Sequence, residues 1–175
     1  MIIGERARRY PLPCNQRLSS ELYAIAGQAC FFTVRAAHSL TPFSDSARAR
    51  CAVNCLLEQR RKSRCRLEVY CVMPDHIHLV VTPMHDGASS LQYVDRFKGW
   101  SSHLLRQAGW TGALWQPRSY DHMLRSDESL VQIAEYILHN PVRTGLCVRP
   151  EDYPWSGIPE PLQDTGHVSS PGDVS

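Results

Sequence analysis

Two runs of alternating side chains, residues 66–73 and 76–82, meet at Pro74-Asp75, and this junction constrains the fold more than any other stretch of the chain. In the first run Leu67, Val69, Cys71 and Met73 share one side; in the second, Ile77, Leu79 and Val81 do. A period of two marks strands with one face in a core, and a proline-containing break between two such runs predicts a hairpin. Proline cannot take the positive φ of a type I′ turn, so a connection other than the tightest form is expected. The second run also carries His76 and His78, whose imidazoles must project from the face opposite Ile77, Leu79 and Val81. Packing alone would not choose histidine there. The pattern sets two metal-capable groups on an otherwise apolar strand.

The remaining segments read as strand, helix, short strand and helix around this hairpin. Residues 28–37 are aromatic and β-branched, which suits a first strand. Pro42-Phe43-Ser44-Asp45 opens a helix to about Lys62, with Ala47, Cys51, Cys55, Leu56 and Leu57 on its buried stripe. A second helix is predicted over residues 89–108 from Leu91, Val94, Phe97, Leu104 and Leu105, with Gly109 as its stop. Residues 114–125 read as a loop plus a short strand. A third helix is expected to begin at Ser126 as N-cap, with Asp127 and Glu128 in its first turn and Leu130, Ile133, Ala134, Ile137 and Leu138 on its stripe. Pro141 is expected to close it near Asn140. This order predicts an α+β domain: an antiparallel sheet with two helices over one face, and the third helix on the other face or the rim. Residues 1–27 read as an N-terminal arm, 28–157 as the domain, and 158–175 as a tail rich in proline, glycine and serine, expected to be disordered.

Composition removes several classes. A chain of 175 residues with 43% hydrophobic and 21% charged residues has the make-up of one globular domain. No apolar run approaches the roughly 20 residues a membrane span needs, and the first residues lack a secretory pattern, so a cytoplasmic protein is expected. Seven cysteines without a CxxC pair argue against a disulfide framework and a zinc ribbon, and point to reduced thiols. The net charge of +2 identifies no partner. The distribution says more: Arg60, Arg61, Lys62, Arg64 and Arg66 crowd one stretch, and Arg118, Arg125 and Arg143 recur later. Each group alone is explained by a solvated face, and convergence in space would make a phosphate-binding surface.

On the third helix Gln132, Tyr136, His139 and Asn140 share a polar side, with Tyr136 and Asn140 four residues apart and therefore neighbours. An isolated tyrosine there is ordinarily a boundary aromatic. The histidine pair, however, lacks a third ligand, and an Asn140 carbonyl oxygen could supply one. A tyrosine beside such a metal would be a sensible nucleophile, because a phenol with its usual pKa of about 10 must be positioned and deprotonated to react. Mixed imidazole and amide ligation suits Mg²⁺ or Mn²⁺, whereas a structural zinc would ask for four protein ligands. An HxH pair is equally compatible with surface or hydrogen-bonded histidines, and His122 with a structural role or a phosphate contact.

Val72-Met-Pro-Asp-His-Ile-His-Leu-Val-Val81 resembles the His-hydrophobic-His signature of the single-tyrosine transposases of bacterial insertion sequences. Leu114-Trp-Gln-Pro-Arg118, Tyr120-Asp-His-Met-Leu-Arg125, Tyr136-Ile-Leu-His-Asn-Pro-Val-Arg-Thr-Gly-Leu146 and Glu151-Asp-Tyr-Pro-Trp-Ser156 narrow this to the tyrosine transposases associated with repetitive extragenic palindromes (REPs). The resemblance covers residues 28–157. It implies a ferredoxin-like core with the tyrosine-bearing helix on the active-site side, and a metal-dependent endonuclease and strand transferase for single-stranded DNA. It makes His76 and His78 metal ligands, puts Asn140 in the place of the third, calls for Mg²⁺ or Mn²⁺, and makes Tyr136 the nucleophile of a 5′-phosphotyrosine intermediate. The implied substrate is hairpin DNA with a flanking single strand. Arg60, Arg61, Lys62, Arg118, Arg125, Arg143 and His122 are candidates for phosphate, and Trp115 or Tyr120 for base stacking. The acting species would be a monomer or a homodimer. Two alternatives stay open at this level: a catalytically silent DNA-binding regulator of palindromic repeats, and a metal-dependent hydrolase of small phosphodiesters.

Overall fold

In the computed structural model, which describes residues 19–161 except 127, five strands form one antiparallel sheet. β1 (Cys30–Arg35), β2 (Cys65–Val72), β3 (His76–Pro83), β4 (Tyr120–Met123) and β5 (Ser156–Gly157) lie in the order β4-β1-β3-β2-β5. Helix α1 (Ser46–Lys62) carries the chain from β1 to β2, and α2 (Ser90–Gln107) from β3 to β4. The first four strands and these helices are therefore the ferredoxin-like βαββαβ unit that the resemblance implies. Local chemistry sets the ends. Asp45 caps α1 by accepting the Arg48 amide at 2.9 Å, Ser89 caps α2 through the Gln92 amide, and Gly109 takes φ +92° just past α2.

Both faces of the sheet are covered. Phe32, Val34, Ile77, Leu79 and Val81 point into a core closed by Leu56 of α1 and by Tyr93, Val94 and Phe97 of α2. Phe31, Val69, Cys71, Met73 and Val80 point the other way, against Leu130, Ile133, Ala134 and Ile137 of α3 (Leu130–Leu138). The third helix thus lies on the histidine face.

One expectation about β2 fails for a physical reason. Leu67 does not share a face with Val69, Cys71 and Met73, because a β-bulge intervenes: Leu67 pairs with Val81, but Val69 pairs with Val80. One extra residue reverses the alternation, so Leu67 joins the α1/α2 core and the rest join the α3 core. The extra residue is Glu68, 1% exposed, with both carboxylate oxygens 2.9 Å from Arg66 Nε.

Other boundaries shift as well. On α1 the buried positions are Ala49, Ala52, Cys55, Leu56 and Gln59, while Ala47 is exposed and Cys51 only partly covered. The cap of α3 is Ser129 rather than Ser126, and Glu128 turns back to accept the Arg125 amide at 2.7 Å. Pro141 does not end the helical path. After a turn at His139 it sits in the first turn of α4 (Asn140–Arg143), where no intrahelical N–H is needed. The β2–β3 connection is three residues long (73–75), with the Met73 N–H bonded to the His76 carbonyl at 2.8 Å, and neither Pro74 nor Asp75 takes a positive φ, so it is short without being type I′. Tyr23, fully buried, donates its hydroxyl to Asp121 at 2.6 Å, so the domain begins before residue 28. The rest of the expected arm (1–18) and most of the expected tail (162–175) lie outside the described residues.

The described cysteines are all free thiols, and burial pushes those of Cys55 and Cys71 up to about 12. No described helix is long and apolar enough to cross a membrane.

Candidate active site

The site is built from the ends of β1 and β3, the turn before β3, and the α3–α4 corner. β1 and β3 pair with Thr33 opposite His78 and Arg35 opposite His76. Directly opposed side chains on one face are in reach of each other, and Thr33 Oγ1 lies 3.0 Å from His78 Nδ1. Asp75, in the turn, accepts from His76 Nδ1 at 2.6 Å. Phe31 stacks on the His78 ring with centroids 5.5 Å apart. Each imidazole is therefore held by its Nδ1 side, and the two Nε2 atoms converge to 3.0 Å.

That separation suits a shared cation. Two nitrogens bound at about 2.1 Å with a right angle between them lie about 3.0 Å apart. A carboxylate or hydroxyl on the far nitrogen is the outer support that fixes the ring of a metal-binding histidine. Asp75 accepts only, so it fixes the His76 tautomer with a lone pair on Nε2. The Thr33 hydroxyl both donates and accepts, so it tolerates either tautomer of His78. Burial, followed by electrostatic interaction with His76, Arg35 and Arg143, pushes His78 down to about 3, which keeps its ring neutral at physiological pH. A neutral imidazole is the form that ligates metal.

Tyr136 is brought to this face because Leu130, Ile133, Ala134 and Ile137 press α3 onto the β2–β3 surface. It sits half-buried at the edge of that core. The Arg143 guanidinium lies 4.6 Å from the centroid of its ring. The same arginine is close enough to His78 to oppose its protonation. Asn140, 9% exposed, donates its amide to the carbonyls of Tyr136 at 3.1 Å and Ile137 at 3.3 Å, tying off the end of α3. The amide oxygen is the atom of this side chain that could bind a cation. Among the described residues no third histidine, cysteine or acid joins the pair in a three-ligand cluster.

The other candidates separate. Tyr120 and His122 lie on the histidine face, in register through β1 with His78 and Val80 respectively. Tyr120 meets Phe31 edge-on at 6.3 Å. His122 Nε2 is bound to Glu128 at 2.8 Å, which fastens β4 to the start of α3. Arg118 and Arg125 are exposed on either side of β4. Trp115 is not available for stacking: it is 7% exposed between Phe43 and Phe97, and its indole N–H donates to Ser101 at 3.0 Å. Its pairing with Ala36 carries it into the α1/α2 core. Arg60, Arg61 and Lys62 end α1 beside the start of β2, at the opposite end of the sheet from the histidines. Thr33 and Asp75 are additions that motif reading passed over. Asp75 adjoins His76 in the chain and could have been noticed, whereas Thr33 becomes a neighbour only through the β1–β3 register.

Comparison with known proteins gives the family. The model of the IS200-like transposase family matches residues 42–140, more than half of the chain, including His76, His78, Tyr136 and Asn140. The REP-associated tyrosine transposase of Escherichia coli K12 is 25% identical over 138 residues, covering 77% of this chain and 78% of that protein. A Haemophilus influenzae protein bearing the same family name is 29% identical over 98 residues, covering 50% of this chain but 56% of its own length. A solved REP-associated tyrosine transposase, bound to a REP hairpin, shares the fold with a TM-score of 0.64 and 21% identity, over 87% of this chain and 96% of that one. The chain belongs to the IS200-like transposase family, and within it is similar to the REP-associated tyrosine transposases.

Proposed function

We propose that this protein nicks and rejoins single-stranded DNA beside hairpin-forming palindromes, with Tyr136 as the nucleophile. The observation that carries the reading is the packing of α3 onto the histidine face of the sheet, which sets the Tyr136 ring, with the Arg143 guanidinium 4.6 Å from its centroid, on the same side as His76 and His78. The REP hairpin held by the solved relative supports the choice of substrate.

In the proposed reaction the Tyr136 oxygen attacks the scissile phosphorus and the bond from phosphorus to the 3′ oxygen breaks. The phenol gives up its proton and the departing 3′ oxygen gains one. The products are a 5′-phosphotyrosine and a free 3′-OH. One phosphodiester replaces another, so attack by a 3′-OH on the linkage rejoins a strand without a separate energy source. Mg²⁺ or Mn²⁺ held by His76, His78 and Asn140 would polarise a non-bridging oxygen and stabilise charge on the leaving oxygen. Asp75 and Thr33 keep the two rings oriented. The guanidinium of Arg143 offers a planar fork to the phosphate. Exposed Arg118 and Arg125 would hold flanking phosphates, and half-buried Tyr120 on this face would stack against a base.

The test is direct. Single-stranded DNA carrying a hairpin is incubated with the protein and Mn²⁺ or Mg²⁺, and covalent protein–DNA adduct is resolved under denaturing conditions. Adduct is expected with wild type, and none with Tyr136→Phe or with chelator. Equal cleavage by the phenylalanine variant would remove Tyr136 from its role.

A further inference from the structure

The end of the sheet far from the histidines carries a cavity of about 510 Å³ whose lining includes Arg60, Arg61, Arg64, Arg66, His85 and Glu160. It lies where β2 begins and β3 ends, since Cys65 pairs with Pro83 while Val72 pairs with Ile77 beside the active site. Some of its cations are accounted for by the fold. Arg61 approaches Glu58 at 3.6 Å, and Arg66 is bound to buried Glu68. Arg64 is exposed and has no acidic partner among the described residues. Arg60 is paired with Glu160, which arrives from beyond β5, 100 positions along the chain. A carboxylate from the end of the described chain thus sits in a cavity whose lining includes four arginines.

We propose that this cavity takes phosphates of a DNA duplex stem, and that Glu160 competes with them for Arg60. The inference rests on the DNA-processing reading above and adds to it a second anchoring point with a built-in rival anion. Arginine forks match phosphate oxygens, and such contacts position a duplex without reading its sequence. The cavity lining holds no phenylalanine, tyrosine or tryptophan for an unpaired base, and its four guanidinium groups favour backbone over base. The spacing has a consequence. From His76 to Pro83 the chain takes seven steps along β3, about 24 Å at roughly 3.4 Å per residue. With 3.4 Å per base pair along a duplex, a stem of about seven base pairs spans that length.

The experiment measures binding of the full chain by fluorescence anisotropy to two DNAs: a single-stranded flank joined to a hairpin with a stem of about twelve base pairs, and the flank alone. The readout is the ratio of the two affinities. The double substitution Arg60→Gln, Arg64→Gln is expected to lower that ratio about tenfold. It should also flatten the hairpin's salt dependence by roughly two phosphate contacts, a change of about 1.8 in the slope of log affinity against log salt. Glu160→Gln is expected to raise the ratio several-fold, and shortening the stem below about seven base pairs should erase the effect of all three substitutions. An unchanged ratio in both the double variant and Glu160→Gln overturns the proposal. Failure of the nuclease reading is separable. Wild type that forms no adduct on either DNA would sink that reading, while a stem-specific loss in the double variant would still identify the cavity as a duplex site.

Discussion

The two faces of the sheet are packed from the same kinds of side chain and differ at one end. Under α1 and α2 the apolar rows run the full length of the paired strands, from Cys30, Phe32 and Val34 across to Ile77, Leu79 and Val81. Two of the large polar rings there are tied off within the core, Tyr93 to the Leu56 carbonyl and Trp115 to Ser101, while the buried amide nitrogen of Gln59 has no hydrogen-bond partner among the described residues. Under α3 one cross-strand row is Phe31, Val80 and Val69, and the next is Tyr120, Thr33, His78 and Cys71, apolar only at its β2 end. The nine residues of α3 cover only part of the sheet that the 17 and 18 residues of α1 and α2 cover on the other side. One face is therefore a complete core, and the other is part core with the histidine pair in the space left over. Stability and activity should separate accordingly.

The largest separation is expected at Tyr136. Its replacement by phenylalanine removes one oxygen from a half-buried ring, so adduct formation should vanish. Thermal or urea unfolding should stay within about 0.5 kcal/mol of wild type, as for substitutions outside a packed core. Leu79→Ala should do the reverse. Leu79 is fully buried on the opposite face, and truncating a leucine in such a core costs about 2–5 kcal/mol. Urea unfolding should show that loss, while adduct per folded molecule is retained. A Leu79→Ala protein of normal stability but without adduct would break the division of labour between the faces.

A smaller effect is expected from the supports of the imidazoles. Asp75→Ala and Thr33→Val each remove the Nδ1 partner of one ring. Loss of such partners ordinarily weakens metal binding on the order of 10–100-fold. Titrating Mn²⁺ against adduct yield should show the curve displaced to higher metal with its plateau reached, in contrast to the flat line of Tyr136→Phe. A curve that does not move for either variant would mean that the rings are oriented by packing alone, through Phe31.

These contrasts also show which parts of the molecule are legible in a sequence. The helices and the β2–β3 hairpin rest on local periodicity and on stops such as Gly109 and Pro74, and they stand close to where those signals put them. The face reversal at Glu68 is invisible because a bulge leaves the alternation Leu67, Val69, Cys71, Met73 intact in the chain while turning its first member over. Trp115 reads as a free aromatic in a loop until its bridge to Ala36 draws it inward, and β5 is two residues long, too short for any period. At the site, His76 and His78 stand out by spacing, but the roles given to Tyr136 and Asn140 come from family resemblance, since no helical pattern distinguishes a nucleophile from a boundary tyrosine. Thr33 needed the register.

The smallest expected effect probes whether the partial core opens on its own. Cys55 lies under the α1/α2 face and Cys71 under α3. Burial raises both thiols to about 12, with Cys51 adding to the rise at Cys55 and Cys147 to that at Cys71. Only thiolate is alkylated, so a group at about 12 presents roughly one reactive form in ten thousand at pH 8, against about a quarter for an ordinary cysteine near 8.5. In the native protein both should stay unmodified by iodoacetamide over times that label a free thiol, and reactivity should appear only through opening. If α3 peels away without the rest, Cys71 gains a sub-global route that Cys55 lacks, because foldons of few apolar contacts open at lower free energy than the global transition. In low urea, mass spectrometry of alkylated peptides should then find Cys71 labelled several-fold faster than Cys55, with the two rates merging as global unfolding takes over. Equal rates throughout would show the two faces open as one unit, and the partial core would be partial in composition only.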